Sequence, residues 1–129
     1  MSKNRFGKLI SNNKTKFNFS YSGRVYVIAF TEQSEIGVDI EKINYKINLN
    51  FIEYVMTKRE VDFILTAENQ INYYRFYLFW TLKEAYLKYL GMGLIDNLNE
   101  LDIIKTLNEN KVSFKFLMFE DYIISIVSK

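Results

Sequence analysis

Phe79-Trp80-Thr81-Leu82-Lys83-Glu84-Ala85-Tyr86-Leu87-Lys88-Tyr89-Leu90-Gly91 is the stretch on which the fold turns. It is the end of a long helix that Asn69 or Asn72 can cap and that runs to about Leu90. Gly91 supplies the left-handed residue that commonly stops a helix. Upstream, Asn48-Leu49-Asn50 offers caps, and Phe51, Ile52, Val55 and Met56 recur at helical spacing. Thr57 and Glu60 form a Thr-x-x-Glu capping box, which opens a second short helix through about Ala67. Before the helices, Phe17–Tyr21 alternates apolar and polar residues and Ser22-Gly23 reads as a hairpin turn. Val25–Phe30 and Ile36–Glu41 are strand-like, which predicts an antiparallel meander of three strands. After the helices, strand character returns at about Leu101–Lys105, Val112–Phe119 and Tyr122–Val127. Strands, then helices, then strands predict an α+β fold, an antiparallel sheet packed against one long and two shorter helices.

The 129 residues suit one domain, 1–129, with residues 1–15 as a basic, partly irregular arm. No internal repeat stands out. Cysteine and histidine are both absent, which excludes disulfides, thiolate chemistry and His-based triads or zinc sites. Acid–base or metal chemistry must therefore come from Asp, Glu, Lys or Tyr. The net charge of +2 does not suggest nucleic-acid binding. No apolar run suggests a membrane span or a leader, so the expectation is a cytoplasmic protein with no membrane partner. The charge is unevenly spread. Residues 1–31 hold Lys3, Arg5, Lys8, Lys14, Lys16 and Arg24 with no acid, leaving 11 basic against 15 acidic residues in the remainder. That suits either a basic arm or a site for a multiply phosphorylated ligand.

Two segments carry chemistry. In Ile36-Gly37-Val38-Asp39-Ile40-Glu41-Lys42, alternation places Asp39 and Glu41 on the same strand face. In the long helix, Trp80, Glu84 and Lys88 share one stripe. Taken alone, the two segments read more readily as a solvated acidic strand face and a surface Glu–Lys pair. Together, Asp39, Glu41 and Glu84 make a hard oxygen donor set suited to Mg²⁺ or Mn²⁺. Lys88, one turn beyond Glu84, lies within reach of a phosphate on the same ion. This is the outline of a metal-assisted transfer at a phosphoanhydride.

The combined pattern resembles the 4′-phosphopantetheinyl transferases. Gly37-Val38-Asp39-Ile40-Glu41 is similar to their Gly-x-Asp-x-Glu strand. Trp80-Thr81-Leu82-Lys83-Glu84-Ala85-Tyr86-Leu87-Lys88, followed by Gly91-Met92-Gly93, is similar to their Trp-x-x-Lys-Glu-Ala-x-x-Lys helix and Gly-x-Gly end. Phe17-Asn18-Phe19-Ser20-Tyr21-Ser22 looks like the Phe-Asn-Leu-Ser-His-Ser segment, with Tyr21 where His is usual. Gly7-Lys8-Leu9 looks like Gly-Lys-Pro. The resemblance is to the second half of the two-lobed, surfactin-synthetase type, plus the strand before it. It implies Mg²⁺-dependent transfer of phosphopantetheine from coenzyme A to a serine of an acyl or peptidyl carrier protein, releasing adenosine 3′,5′-bisphosphate. By the same resemblance, Asp39, Glu41 and Glu84 bind the metal and Glu84 is the candidate to activate the serine. Lys88 holds the phosphates and is the candidate to assist the leaving group. Lys8, Ser20 and Tyr21 lie near the 3′-phosphoadenosine end.

The alternative is a transferase-like domain that binds coenzyme A or a carrier protein without turnover. The resemblance implies a homo-oligomer, or a second chain replacing the missing lobe. The rings of Tyr73, Tyr74, Phe76, Tyr77, Phe79 and Tyr86 are expected to form the exposed apolar face. The carrier protein is expected along the helices between Phe51 and Ala67, on Phe51, Tyr54, Val55 and Met56.

Overall fold

The structure is a computed structural model that describes residues 2–3, 9–10, 15–32, 35–92 and 98–129. Gly7, Lys8, Gly93 and Leu94 lie outside the described residues. Strands β1 (Ser2–Lys3) and β2 (Leu9–Ile10) pair antiparallel within the basic arm. Strands β3 (Lys16–Ser22) and β4 (Val25–Thr31) form a hairpin whose turn holds Gly23 at φ 58°. Strand β5 (Ile36–Lys42) follows, then helices α1 (Leu49–Val55), α2 (Lys58–Ile64) and α3 (Tyr73–Tyr89). A 3₁₀ turn at Leu98–Glu100 leads to α4 (Ile103–Asn108), and β6 (Ser113–Phe119) and β7 (Tyr122–Ser128) form a second hairpin. The architecture is α+β.

The helix boundaries follow their local chemistry. Asn48 caps α1 and Asn72 caps α3, each accepting from a backbone N–H three residues on. The Thr57–Glu60 capping box is present in both directions. At the end of α3, Met92 N–H bonds to Leu87 C=O and Gly91 N–H to Lys88 C=O, with Gly91 at φ 78°. This is a Schellman stop, and it leaves the glycine a structural role.

Two expected strand assignments are corrected. β5 does not continue a meander from β4. It pairs antiparallel with β7, Asp39 opposite Ser125, in a sheet ordered β5-β7-β6. A strand partner more than eighty residues away leaves no local trace in sequence, whereas a short loop makes the adjacent strand look like the partner. Residues 101–105, expected as a strand, instead enter α4, because the Asp102 side chain caps Lys105 N–H and starts a helical turn.

The layers stack as helices, three-stranded sheet, then the β3–β4 hairpin. One face of the sheet packs on α3, with Ile52, Phe76, Leu82, Leu87 and Ile123 in that core. The opposite face sets Val38, Ile40, Tyr122 and Ile124 against Ala29, Val25 and Val27 of the hairpin. Gly37 marks the closest approach of α3 to β5. A Cβ there would stand 2.0 Å from the Ala85 carbonyl oxygen and 2.5 Å from the Tyr89 nitrogen.

β3 sits beside β5 in an unusual manner. Asn18 Oδ1 accepts from Val38 N–H (2.9 Å), Ser20 Oγ from Ile40 N–H (3.2 Å) and Ser22 Oγ from Lys42 N–H (3.3 Å). A comb of side chains thus occupies the edge of β5 that β7 leaves free. The polar residues of β3 point inward, and Phe19 and Tyr21 point out. Alternation is what the sequence shows; the buried face is the polar one because β5 needs acceptors.

The rings on α3 are absorbed more fully than expected. Phe76, Tyr77 and Phe79 are buried, Tyr73 and Tyr86 half-buried, and only Tyr74 is exposed. Val55 and Met56 are likewise core residues, which removes them from the expected carrier-protein surface; Phe51 and Tyr54 remain exposed.

Candidate functional site

The odd positions of β5 face α3, and this brings the two chemical segments together. Asp39 is 5% exposed. Its Oδ1 accepts from the Ser20 hydroxyl at 3.2 Å and lies 3.6 Å from the Lys88 ammonium. Its Oδ2 is buried without a partner. Burial pushes the Asp39 carboxyl up to about 8, opposed by Lys88 and reinforced by Glu41 and Glu84. Glu41 accepts from the Trp80 indole N–H at 3.4 Å; burial raises its pKa, while Trp80 and Lys88 oppose the rise. Trp80 itself clusters with the rings of Phe51 and Phe76. Glu84 Oε1 is also buried and unpartnered, and burial pushes this carboxyl up to about 7 against the pull of Lys88, with Glu41 adding to the rise.

The Trp80–Glu84–Lys88 stripe therefore faces β5 as the spacing predicts. Lys88 is more engaged than a surface lysine. Its ammonium donates to Val38 C=O at 2.9 Å and Phe19 C=O at 3.5 Å, besides the Asp39 carboxylate. It thus makes two hydrogen bonds, of which the one to Phe19 is the longer and weaker, and an ion pair with Asp39.

Asp39 Oδ2 and Glu84 Oε1 are two buried carboxylate oxygens without a partner, and such oxygens suit a cation. The donor set is all oxygen, which fits a hard divalent ion that keeps several waters. Among the described residues, no group of three or more acidic side chains stands close enough to form a ready-made cage. Side-chain rotation or water ligands would have to complete the coordination.

Of the other expected site residues, Ser20 is placed on Asp39 and on the β5 backbone. Tyr21 is not brought to the carboxylates: it lies on the opposite face of β3, exposed, with its ring stacked on Tyr26 at 5.4 Å. Lys8 falls outside the described residues.

Lys83, beside Glu84 in the motif, has a part that the sequence did not reveal. It is fully buried; it pairs with the buried Glu60 and donates to Val55 C=O (3.0 Å) and Leu98 C=O (2.9 Å). Glu60 in turn accepts from Thr57 N–H and Ile103 N–H. This hub joins α1, α2, α3 and the start of α4 around the turn that carries Glu84. Burial lowers the Lys83 pKa, and Glu60 counters that fall. The only sequence signal was a lysine next to Glu84, one position off the stripe that meets β5.

A profile of the 4′-phosphopantetheinyl transferase superfamily matches residues 35–127, the span that holds every carboxylate of the site. The chain belongs to this superfamily. Among similar proteins, an L-aminoadipate-semialdehyde dehydrogenase-phosphopantetheinyl transferase of Candida glabrata is 33% identical over 107 residues, 77% of this chain and 42% of that protein. The 4′-phosphopantetheinyl transferase Sfp of Bacillus subtilis is 37% identical over 78 residues, 60% of this chain and 34% of its own. The 4′-phosphopantetheinyl transferase gsp of Aneurinibacillus migulanus is 28% identical over 103 residues, 80% of this chain and 43% of its own. The matched segment is thus well under half the length of each of these relatives. Among the described residues, no helix is long and apolar enough to cross a membrane.

Proposed function

We propose that this chain transfers phosphopantetheine from coenzyme A to a carrier-protein serine in the cytoplasm. The observation that supports the reading is that Asp39 and Glu41 on β5 and Glu84 on α3 lie near enough to influence one another beside Lys88, with two buried carboxylate oxygens left open. In the reaction, the serine oxygen forms a bond to the pantetheine-side phosphorus of coenzyme A. The phosphoanhydride bond breaks, and adenosine 3′,5′-bisphosphate departs with the bond's electron pair. The serine proton passes to Glu84, directly or through a water. Asp39, Glu41 and Glu84 would hold the divalent ion, Mg²⁺ or Mn²⁺, which offsets the repulsion between the acids and the diphosphate. Ser20 and Lys88 orient Asp39. Lys88 reaches a diphosphate oxygen by giving up its long bond to Phe19. Lys8 is assigned, with the other basic residues of the first 31, to the phosphorylated adenosine end.

Because the chain spans only part of its relatives' length, turnover calls for a further surface to wall the substrate. Without that surface, the same site would bind coenzyme A or a carrier protein and not react. The deciding experiment incubates the purified chain with coenzyme A, Mg²⁺ and an apo carrier protein and follows the mass of the carrier. Gain of the phosphopantetheine mass is expected. Glu84→Gln keeps the shape and removes the basicity, and should lower the rate at least about a hundredfold. A variant working at the parent rate would remove Glu84 from the chemistry. Coenzyme A binding by calorimetry with no mass gain on any carrier would favour the non-catalytic reading.

A further inference from the structure

On the side of α3 turned away from the carboxylates, the described residues form a groove of about 380 Å³. Helix spacing puts Arg75, Leu78, Phe79 and Leu82 on one stripe, roughly opposite the Trp80–Glu84–Lys88 stripe. Leu78, Phe79 and Leu82 are the α3 wall, and Ile104 and Leu107 of α4 are a second wall. Phe114 and Phe116, alternate residues of β6, complete it, and Phe63 of α2 stands at the end nearest Arg75. Every lining side chain is apolar. The volume falls within the ~300–1,000 Å³ of small-molecule sites. The two ends differ. At one, Tyr86, the next residue of the α3 stripe, meets Phe114 with ring centroids 6.3 Å apart and bounds the groove. At the other, Phe63 stacks on Phe79 at 4.8 Å, and the Arg75 guanidinium lies over the Phe63 ring, 4.8 Å from its centroid. One Arg75 N–H donates to Phe63 C=O at 3.0 Å, which holds the exposed head in place. A guanidinium carries several further donors, and among the described residues Arg75 has no acidic partner. Asp62, next to Phe63 in sequence, lines a different cavity with Glu53 and Lys58.

We propose that this groove binds a medium-chain carboxylate, with its unbranched apolar chain along α3 and its anionic head on Arg75. Length, lining and charge each favour that class. From Arg75 to Tyr86 the helix advances about 16 Å at ~1.5 Å per residue, which suits a chain of about twelve carbons. The lining offers no hydrogen-bonding side chain. A sugar, a nucleotide or a peptide backbone would have to bury polar groups there unpaired, which is costly. The charged head that touches the lining is a cation stacked flat on a ring, and its planar fork matches a carboxylate through two parallel N–H bonds. The groove is also too small for a protein interface. Of its lining side chains only Phe63 and Phe116 are exposed, at 41% and 60%, far short of the ~800 Å² per partner of stable complexes. The proposal does not depend on the transferase reading, since none of Asp39, Glu41, Glu84 and Lys88 takes part in it.

Calorimetry on the 129-residue chain with sodium dodecanoate, kept well below micelle formation and with chelator present, tests the proposal. One molecule per chain is expected to bind, with a Kd of about 10–100 µM, an ordinary affinity for about fourteen heavy atoms. Dodecyltrimethylammonium has the same chain and a cationic head, and should bind at least about tenfold more weakly. Arg75→Gln should weaken dodecanoate at least about tenfold, the usual scale of a charge-assisted bond, and so remove the preference for the anion. Phe116→Glu sets a carboxylate beside the bound chain and should abolish dodecanoate binding. The position is exposed, so circular dichroism should not change. If Phe116→Glu fails to fold, methyl NMR on the parent gives a second reading: the Leu78, Ile104 and Leu107 signals should shift as dodecanoate is added. No saturable binding, equal affinity for the two head groups, an affinity that survives Arg75→Gln or a folded Phe116→Glu, or shifts confined to other methyl groups would each overturn the proposal.

Discussion

Asp39 shows how much one residue's neighbours decide. It is a strand carboxylate that alternation assigns to the helix-facing side, and there it becomes buried against two other acids. Its folded pKa of about 8 lies above the ordinary 3.8, and that of Glu84, about 7, lies above 4.5. Across this window the folded, metal-free chain holds protons that the unfolded chain has released. Stability therefore falls as pH rises from about 4 to about 8, and the contribution is fully present only at the acid end. Urea midpoints measured with chelator over that range should decline with pH, and Asp39→Asn should flatten the decline. Added Mg²⁺ should raise the midpoint most above about pH 7, where the acids are ionised and the ion has the most repulsion to relieve. A midpoint that rises with pH in the parent and stays the same in Asp39→Asn would count against this placement of Asp39. The strand face shared by Asp39 and Glu41 and the helix stripe of Glu84 were legible in the sequence because strand and helix periodicities are local. The orphaned oxygens were not, since burial is a property of what packs above.

At the scale of elements, the site depends on how closely α3 approaches β5. Gly37 permits that approach. Gly37→Ala would force a methyl group into the backbone of α3 at Ala85 and Tyr89. Backbone cannot rotate aside as a side chain can, so the cost should lie at or above the upper end of the ~1–3 kcal/mol usual for overpacking. Denaturant unfolding measures the loss, and a change under about 0.5 kcal/mol would show that the helix has room to spare. Relaxation would lift α3 from β5 and separate Glu84 and Lys88 from Asp39, so metal-dependent binding should weaken along with stability. Thr81 adds a second fastening: its hydroxyl meets Ser125 while also bonding to Tyr77 C=O. The Thr57 cap was readable, and Asn48 and Asn72 were each among two candidates in the sequence, because a cap is defined within four residues. The α4 assignment was not, because Leu101–Lys105 is short and apolar enough to suit either element.

For the whole molecule, the exposed surface separates into regions with different uses. The hairpin face is apolar and uncharged. On the helical side, Tyr54 is 72% exposed and Phe51, also exposed, packs its edge on Trp80 and Phe76, next to the carboxylate site. We propose that the carrier protein docks there, without Met56 and Val55, which pack inward. Tyr54→Glu should raise the carrier KM about tenfold, the usual scale of one interfacial tyrosine, and leave coenzyme A affinity unchanged. Equal loss of both would point to unfolding. Unchanged carrier kinetics would move the docking surface elsewhere.

Local chemistry encodes the α+β succession, the helix ends at Asn48, Thr57, Asn72 and Gly91, the shared face of Asp39 and Glu41, and the Trp80–Glu84–Lys88 stripe. Each of these depends on residues within a few positions of one another, so each could be read from the chain as written. Three features came from packing instead: which strand β5 pairs with, which face of β3 lies inward, and where Lys83 goes. β5 chose β7 over its nearer neighbour because Val38 and Ile40 join Tyr122 and Ile124 in one apolar core while α3 covers the other face of both strands, and chain distance carries no weight once the core closes. Asn18 and Ser20 turned inward, against the usual rule, because the free edge of β5 presents N–H groups that a buried phenylalanine could not satisfy. Lys83 is buried because Glu60 and two carbonyls meet it there, and no one of the four groups is close to all the others along the chain.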